Sequence, residues 1–155
     1  MENELVYITS NRIPSEKANS FQTISTVNSL ADYFDKILIL APKRKIHKIN
    51  ESIEDFYGVE KKFLLKEIFT IDTNIYKVSN YLWNLITKGS FYISLVFYLI
   101  KRKPKIIYTR DVYVAIIISY FRKISLIQFQ KVIFESHEVK DHLIVFLKFV
   151  DGVIT

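Results

Sequence analysis

The chain contains no cysteine, three glycines, three prolines, one methionine and one tryptophan in 155 residues. Without cysteine there is no disulfide framework, no thiolate metal site and no thiol nucleophile. The three histidines, His47, His137 and His142, are scattered and make no H-x-x-x-H pairing, so no metal is expected. Scarce glycine has its own consequence. Neither the G-x-G-x-x-G dinucleotide fingerprint nor a glycine-rich phosphate loop is present, which disfavours NAD and ATP binding by those routes. Long apolar runs are missing too: residues 91–100 and 112–121 are each about half of the ~18–20 residues a membrane span needs. The acidic start, Met1-Glu2-Asn3-Glu4, is the reverse of a signal peptide's basic opening, so a cytoplasmic location is expected.

What is present is an apolar half, enough for a globular core, and the expected organisation is one domain over 1–155. Twenty-two Lys and Arg against 16 Asp and Glu leave a net charge of +6, which favours anionic partners such as phosphates, acidic lipid or nucleic acid. The basic residues gather at Lys43-Arg44-Lys45, Lys101-Arg102-Lys103 and Arg122-Lys123, each at the end of an apolar element, where the plain reading is a solvated cap. The 12 Phe and 10 Tyr fall mostly inside apolar runs and read as core rather than as base-stacking platforms. No RNA- or DNA-binding pattern accompanies them, so no nucleic-acid partner is expected.

Along the chain, residues 5–9 form a β-branched and aromatic strand, followed by a polar loop at 10–20. Apolar residues at 21, 24, 27 and 30 then predict a helix, with Asn19 or Ser20 as its N-cap. A strand at 36–40 stops at Ala41-Pro42, a helical turn near Ile53, Phe56 and Tyr57 closes at Gly58, and a further strand falls within 62–71. Two helices are predicted at 75–86 and 91–100, broken at Lys88-Gly89-Ser90; the second is apolar on all faces and therefore expected to be buried. Pro104 forbids its continuation. A strand at 105–109, a helix at 112–121, a strand at 131–135 and a last strand begun at 150–155 complete the pattern. Such alternation predicts an α/β fold: a Rossmann-like, doubly wound parallel sheet with helices on both faces.

In a parallel sheet the loops leaving the C-terminal strand ends share one edge, where open α/β sheets place their chemistry. Here those loops are 10–20, Arg110-Asp111 and Ser136-His137-Glu138. The first leads into a helix N-terminus, whose amides and dipole suit an anion, with Lys17 adding charge. His137 can donate or accept a proton near neutral pH, or can be a satisfied loop histidine. Glu135 ends its strand and equally suits pairing with a lysine or with backbone amides. Arg110 can clamp a phosphate or carboxylate, or pair with Asp111 or Glu138. Asp111 also fits the N-cap of the next helix.

The succession of Arg12-Ile13-Pro14-Ser15-Glu16-Lys17-Ala18-Asn19-Ser20 after the first strand, Ala41-Pro42, Tyr57-Gly58-Val59, Ile107-Tyr108-Thr109-Arg110-Asp111, Phe134-Glu135-Ser136-His137 and Asp151-Gly152-Val153-Ile154-Thr155 resembles the N-terminal domain of family-4 retaining glycosyltransferases of GT-B fold. The resemblance implies half of a two-domain enzyme. This acceptor-side domain would be inactive alone, and a missing C-terminal domain would hold the nucleotide-sugar, a co-substrate rather than a cofactor. It implies that Glu135 and His137 match the family's Glu-x-His, with His137 reaching the donor sugar. It further implies that the 10–20 loop lines the acceptor side and approaches the donor diphosphate, with Lys17, Asn19 and Ser20 as side-chain candidates in place of the glycines family members often carry there. Arg110, Glu135 and Glu138 complete the candidate contacts for the donor or for a sugar or lipid-linked acceptor. The apolar 91–100 helix and its basic tail also suit peripheral contact with an anionic membrane, although a buried helix is the plainer reading. The alternative from another class is a non-catalytic Rossmann-like binding module with a basic, membrane-facing surface.

Overall fold

The computed structural model describes residues 3–44, 49–60, 62–72, 79–136 and 150–154. Among these residues six strands form one parallel sheet: β1 (Glu4–Ile8), β2 (Lys36–Pro42), β3 (Leu64–Ile68), β4 (Ile106–Thr109), β5 (Lys131–Glu135) and β6 (Gly152–Ile154). Their order is β3-β2-β1-β4-β5-β6, so the chain winds outward from β1 in both directions. The helices are α1 (Ala18–Leu30), α2 (Ile53–Tyr57), α3 (Asn80–Arg102) and α4 (Val112–Lys123).

The two faces of the sheet follow from strand alternation, since successive side chains point to opposite sides. Val6, Ile8, Leu38, Leu40, Ile107 and Val132 pack under α3 and α4. Leu5, Tyr7, Ile37, Ile39 and Tyr108 pack under α1 and α2. Both faces are therefore covered, which is why the interior strands β1, β2 and β4 read as nearly unbroken apolar runs. Helices on opposite faces of one parallel sheet make the fold doubly wound and Rossmann-like, as predicted.

Three local expectations are corrected. The break expected at Lys88-Gly89-Ser90 does not exist, because α3 runs unbroken through it. Ser79 caps the helix by accepting the Leu82 amide, and the buried stripe of Thr87, Phe91, Leu95 and Leu99 supports it from below. Tertiary packing of that stripe outweighs the poor propensity of a single glycine. Nor is the 91–100 stretch buried all round, since Ile93 and Phe97 are about two-thirds exposed at 62% and 64%. Finally, the N-cap of α1 is Lys17, in extended conformation and without a side-chain cap bond, so Asn19 and Ser20 lie inside the helix.

The remaining ends obey ordinary rules. Ser52 caps α2 and Gly58, at φ 64°, ends it in the left-handed region that favours glycine. Lys101 and Arg102 close α3, and Arg122 and Lys123 close α4, each cation sitting at the negative end of a helix dipole. Among the described residues no helix is long and apolar enough to cross a membrane.

Candidate functional site

The winding reverses between β1 and β4, and at their C-terminal ends the diverging loops leave a crevice of about 460 Å³. Three distant stretches meet in its walls, beside α1 and α3. Thr9, Ser10 and Asn11 follow β1; Arg110 and Asp111 follow β4; Glu135 and Ser136 end β5. The convergence expected of these loops is therefore met as far as Ser136.

A hydrogen-bonded chain fixes the floor. The Thr109 hydroxyl donates to the Ile8 carbonyl at 2.8 Å and accepts the Asp111 amide at 3.1 Å, tying β4 to β1. Asp111 caps α4 through one carboxylate oxygen, which accepts the amides of Tyr113 and Val114 at 2.9 and 3.2 Å. Its other oxygen accepts the Ser10 hydroxyl. Both oxygens are thus engaged, and Asp111 holds the loops together rather than facing outward with a spare lone-pair pattern.

Glu135 is the carboxylate the crevice presents. Tyr108 donates to its Oε2 at 2.6 Å, and the Arg110 Nε lies 3.4 Å from its Oε1. Arg110 and Glu135 are 15% and 16% exposed, so the pair is largely withdrawn from water yet still lines the crevice. Arg110 pairs with Glu135 here, not with Asp111. Burial, reinforced by the Glu135 bond, pushes the Tyr108 phenol well above its ordinary value, so it stays a proton donor. Its stacked neighbour Tyr7 is pushed up to about 12 by burial, partly offset by nearby Thr23 and Arg110.

The other sequence-derived candidates divide. Asn19 lines the crevice. Lys17 borders a second cavity beside it, of about 450 Å³. Ser20 is buried beneath α1, where its hydroxyl meets the Arg12 carbonyl and the Tyr57 hydroxyl, and it lines neither space. His137 and Glu138, like His47 and His142, lie outside the described residues.

Tyr108 and Lys88 were missed. Tyr108 reads as one more aromatic residue in an apolar strand; only its register, one strand over and two residues from Glu135, reveals its role. Lys88 was hidden by the supposed helix break, yet α3 carries it to the rim of both cavities. Among the described residues no group of three or more His, Asp or Glu side chains gathers as a metal site would require.

No family model matches the chain, and no curated protein matches it by sequence. By structure, it is similar to the lipopolysaccharide outer core galactosyltransferase WaaB in its apo form, with a TM-score of 0.55 and 13% sequence identity. The match covers 97% of this chain and 38% of that one, so the chain spans well under half the length of the galactosyltransferase. At this identity the likeness concerns the fold: a six-stranded parallel Rossmann-like domain shared with a glycosyltransferase over nearly the whole chain.

Proposed function

We propose that the chain is the acceptor-side, N-terminal domain of a retaining hexosyltransferase of GT-B type, which moves a sugar from a nucleotide-sugar to a glycan or glycolipid acceptor. The observation that carries this reading is the polar crevice at the β1/β4 switch point, in a fold shared with a sugar transferase over 97% of the chain. The succession of motifs from Arg12 to Thr155 supports it independently.

The reaction is attack of an acceptor hydroxyl on the anomeric carbon as the nucleoside diphosphate departs and oxocarbenium character develops. Arg110 and Glu135 suit the acceptor side. A carboxylate anchored at both oxygens, by Tyr108 and Arg110, keeps one geometry and can accept a sugar hydroxyl without reorganising. Asn19 and Ser10 add short neutral partners at the rim. His137, two residues beyond Glu135 in sequence, is assigned to the donor sugar, and Glu138 is a further candidate contact with acceptor or donor. The nucleotide belongs to a second domain following this one. A lipid-linked acceptor would bring the domain to the inner face of a membrane, as a peripheral partner from the cytoplasm.

The test is transfer itself. The whole reading frame is expressed and incubated with a panel of nucleotide-sugars and membrane glycolipid extract, and the acceptor's mass is followed. A hexose increment that needs both substrates supports the reading. Nucleotide-sugar binding confined to this domain, or no transfer with any donor, overturns it in favour of a non-catalytic binding module.

A further inference from the structure

The second cavity differs in charge from the crevice it adjoins. It is bounded by the β1–α1 loop, by the chain just after β2 and β3, and by the N-terminal half of α3. Among its described lining residues, Arg12, Lys17, Arg44 and Lys88 are cationic, whereas Glu16 and Asp72 are anionic. Glu16 lies at the exposed outer edge, 2.9 Å from Arg12. The crevice lining has Arg110 and Lys88 balanced by Asp111 and Glu135. Counted over the described residues, one space is neutral and its neighbour carries two surplus positive charges.

Arg44 makes the surplus unusual. Its side chain is 12% exposed and its guanidinium lies 4.9 Å over the Trp83 ring. Among the described residues its Nε and Nη1 are buried and make no hydrogen bond, and Asp72, paired with it at 3.8 Å, is too far to supply one. Burial lowers its pKa, and the paired Asp72 carboxylate pulls the other way. A buried guanidinium with unmet donors is costly unless an anion completes it.

Building on the transferase reading, we propose that this cavity binds a phosphate group carried by the acceptor sugar, held by Arg12, Lys17, Arg44 and Lys88. The charge fits: a phosphate monoester carries about −1.5 to −2 near neutral pH, matching the surplus. Position fits too, because Lys88, Ser10 and Asn11 border both spaces, so one acceptor can seat its phosphate in the basic cavity and its reacting hydroxyl in the crevice. The cavity would then select phosphorylated over neutral acceptors and set which hydroxyl is presented.

Trp83 is the single tryptophan and lines the cavity, so its fluorescence reports on this site. The chain is titrated with glucose 6-phosphate, with glucose and sodium chloride of matched ionic strength as controls, and with uridine diphosphate in parallel. The expected result is a saturable response to glucose 6-phosphate, none to glucose or salt, and weaker binding of uridine diphosphate. Arg44→Gln and Lys88→Gln should each weaken binding about tenfold, the loss of one charge-assisted contact. Lys88 is exposed on its helix, so that variant keeps the test valid even where Arg44→Gln perturbs folding. No saturable response, or a response that Lys88→Gln leaves unchanged, overturns the proposal. Tighter binding of uridine diphosphate does so as well, by giving the cavity to the donor. No sugar is transferred in this assay, so its failure alongside transfer to a neutral acceptor removes the phosphate site and leaves the transferase. Phosphate binding in a protein that never transfers sugar does the reverse.

Discussion

Tyr7 and Tyr108 sit side by side on β1 and β4, their rings stacked with centroids 5.2 Å apart, and differ in what their hydroxyls meet. Tyr108 donates to Glu135 at 2.6 Å, whereas the Tyr7 hydroxyl is buried beside Thr23 and Arg110. Changing Tyr108→Phe removes a bond to a charged acceptor, a class worth roughly 1.5–3 kcal/mol. Glu135 keeps Arg110 and a little water, being 16% exposed, which places the loss near the lower end, about 1.5 kcal/mol. At ~2–4 °C per kcal/mol for a chain of this size, Tm should fall by about 3–6 °C. Changing Tyr7→Phe removes a hydroxyl that faces Thr23 and Arg110 rather than a carboxylate, so it should cost less, about 0.5–1 kcal/mol. Thermal and urea unfolding followed by circular dichroism at pH 7 separates the two. Equal losses in both variants, or a larger loss in Tyr7→Phe, would refute the assignment of Glu135's anchor.

Three further outcomes follow from the same geometry. Gly89→Ala should stabilise by about 0.5–1 kcal/mol in urea unfolding, because α3 is continuous there and an added Cβ meets nothing within 4 Å; destabilisation would mean that the helix needs a break at this point. Asp111→Ala should cost about 2 kcal/mol by the same measurement, combining a lost N-cap with a lost Ser10 bond, and Asp111→Asn should recover most of it. Asp151 is held below the usual carboxylate range, chiefly by its bond with Arg122 and also by the Val132 amide, and this linkage fastens the start of β6 to β5. Its folded-state pKa is depressed, so its contribution is full above the unfolded value of about 3.9 and is lost as pH falls through the folded one. Stability measured from pH 6 to 2 should therefore drop less steeply in Asp151→Asn than in the wild type.

The sequence made the sheet legible because interior parallel strands must be apolar on both faces, and 36–40, 105–109 and 131–135 are. Asp111 was legible as a cap because an aspartate just before an apolar helix has a local job. Errors came where tertiary context outvoted local composition. Gly89 and Ser90 look like a break, yet Ser90 donates to the Thr87 carbonyl and accepts the Ile71 amide, so the pair is anchored within and beside the helix. Ser20 looks like a cap but is consumed by Tyr57, a partner 37 residues away. Arg110's choice of Glu135 over Asp111 depends on strand order, which single residues do not encode. The basic cavity was illegible for the same reason: Arg12 and Lys17 share one loop, but Arg44 and Lys88 are far from it in sequence and join them only once β1, β2 and α3 are assembled.

The proposed transfer at the β1/β4 crevice is tested most directly by the transfer rate of Glu135→Gln in the protein expressed from the whole reading frame, with folding checked by its melting curve. A folded variant whose kcat falls by about a hundredfold is expected, on the order of what loss of one positioned polar group at a reacting centre costs. A folded Glu135→Gln enzyme with wild-type kcat and KM would contradict it and place the chemistry elsewhere.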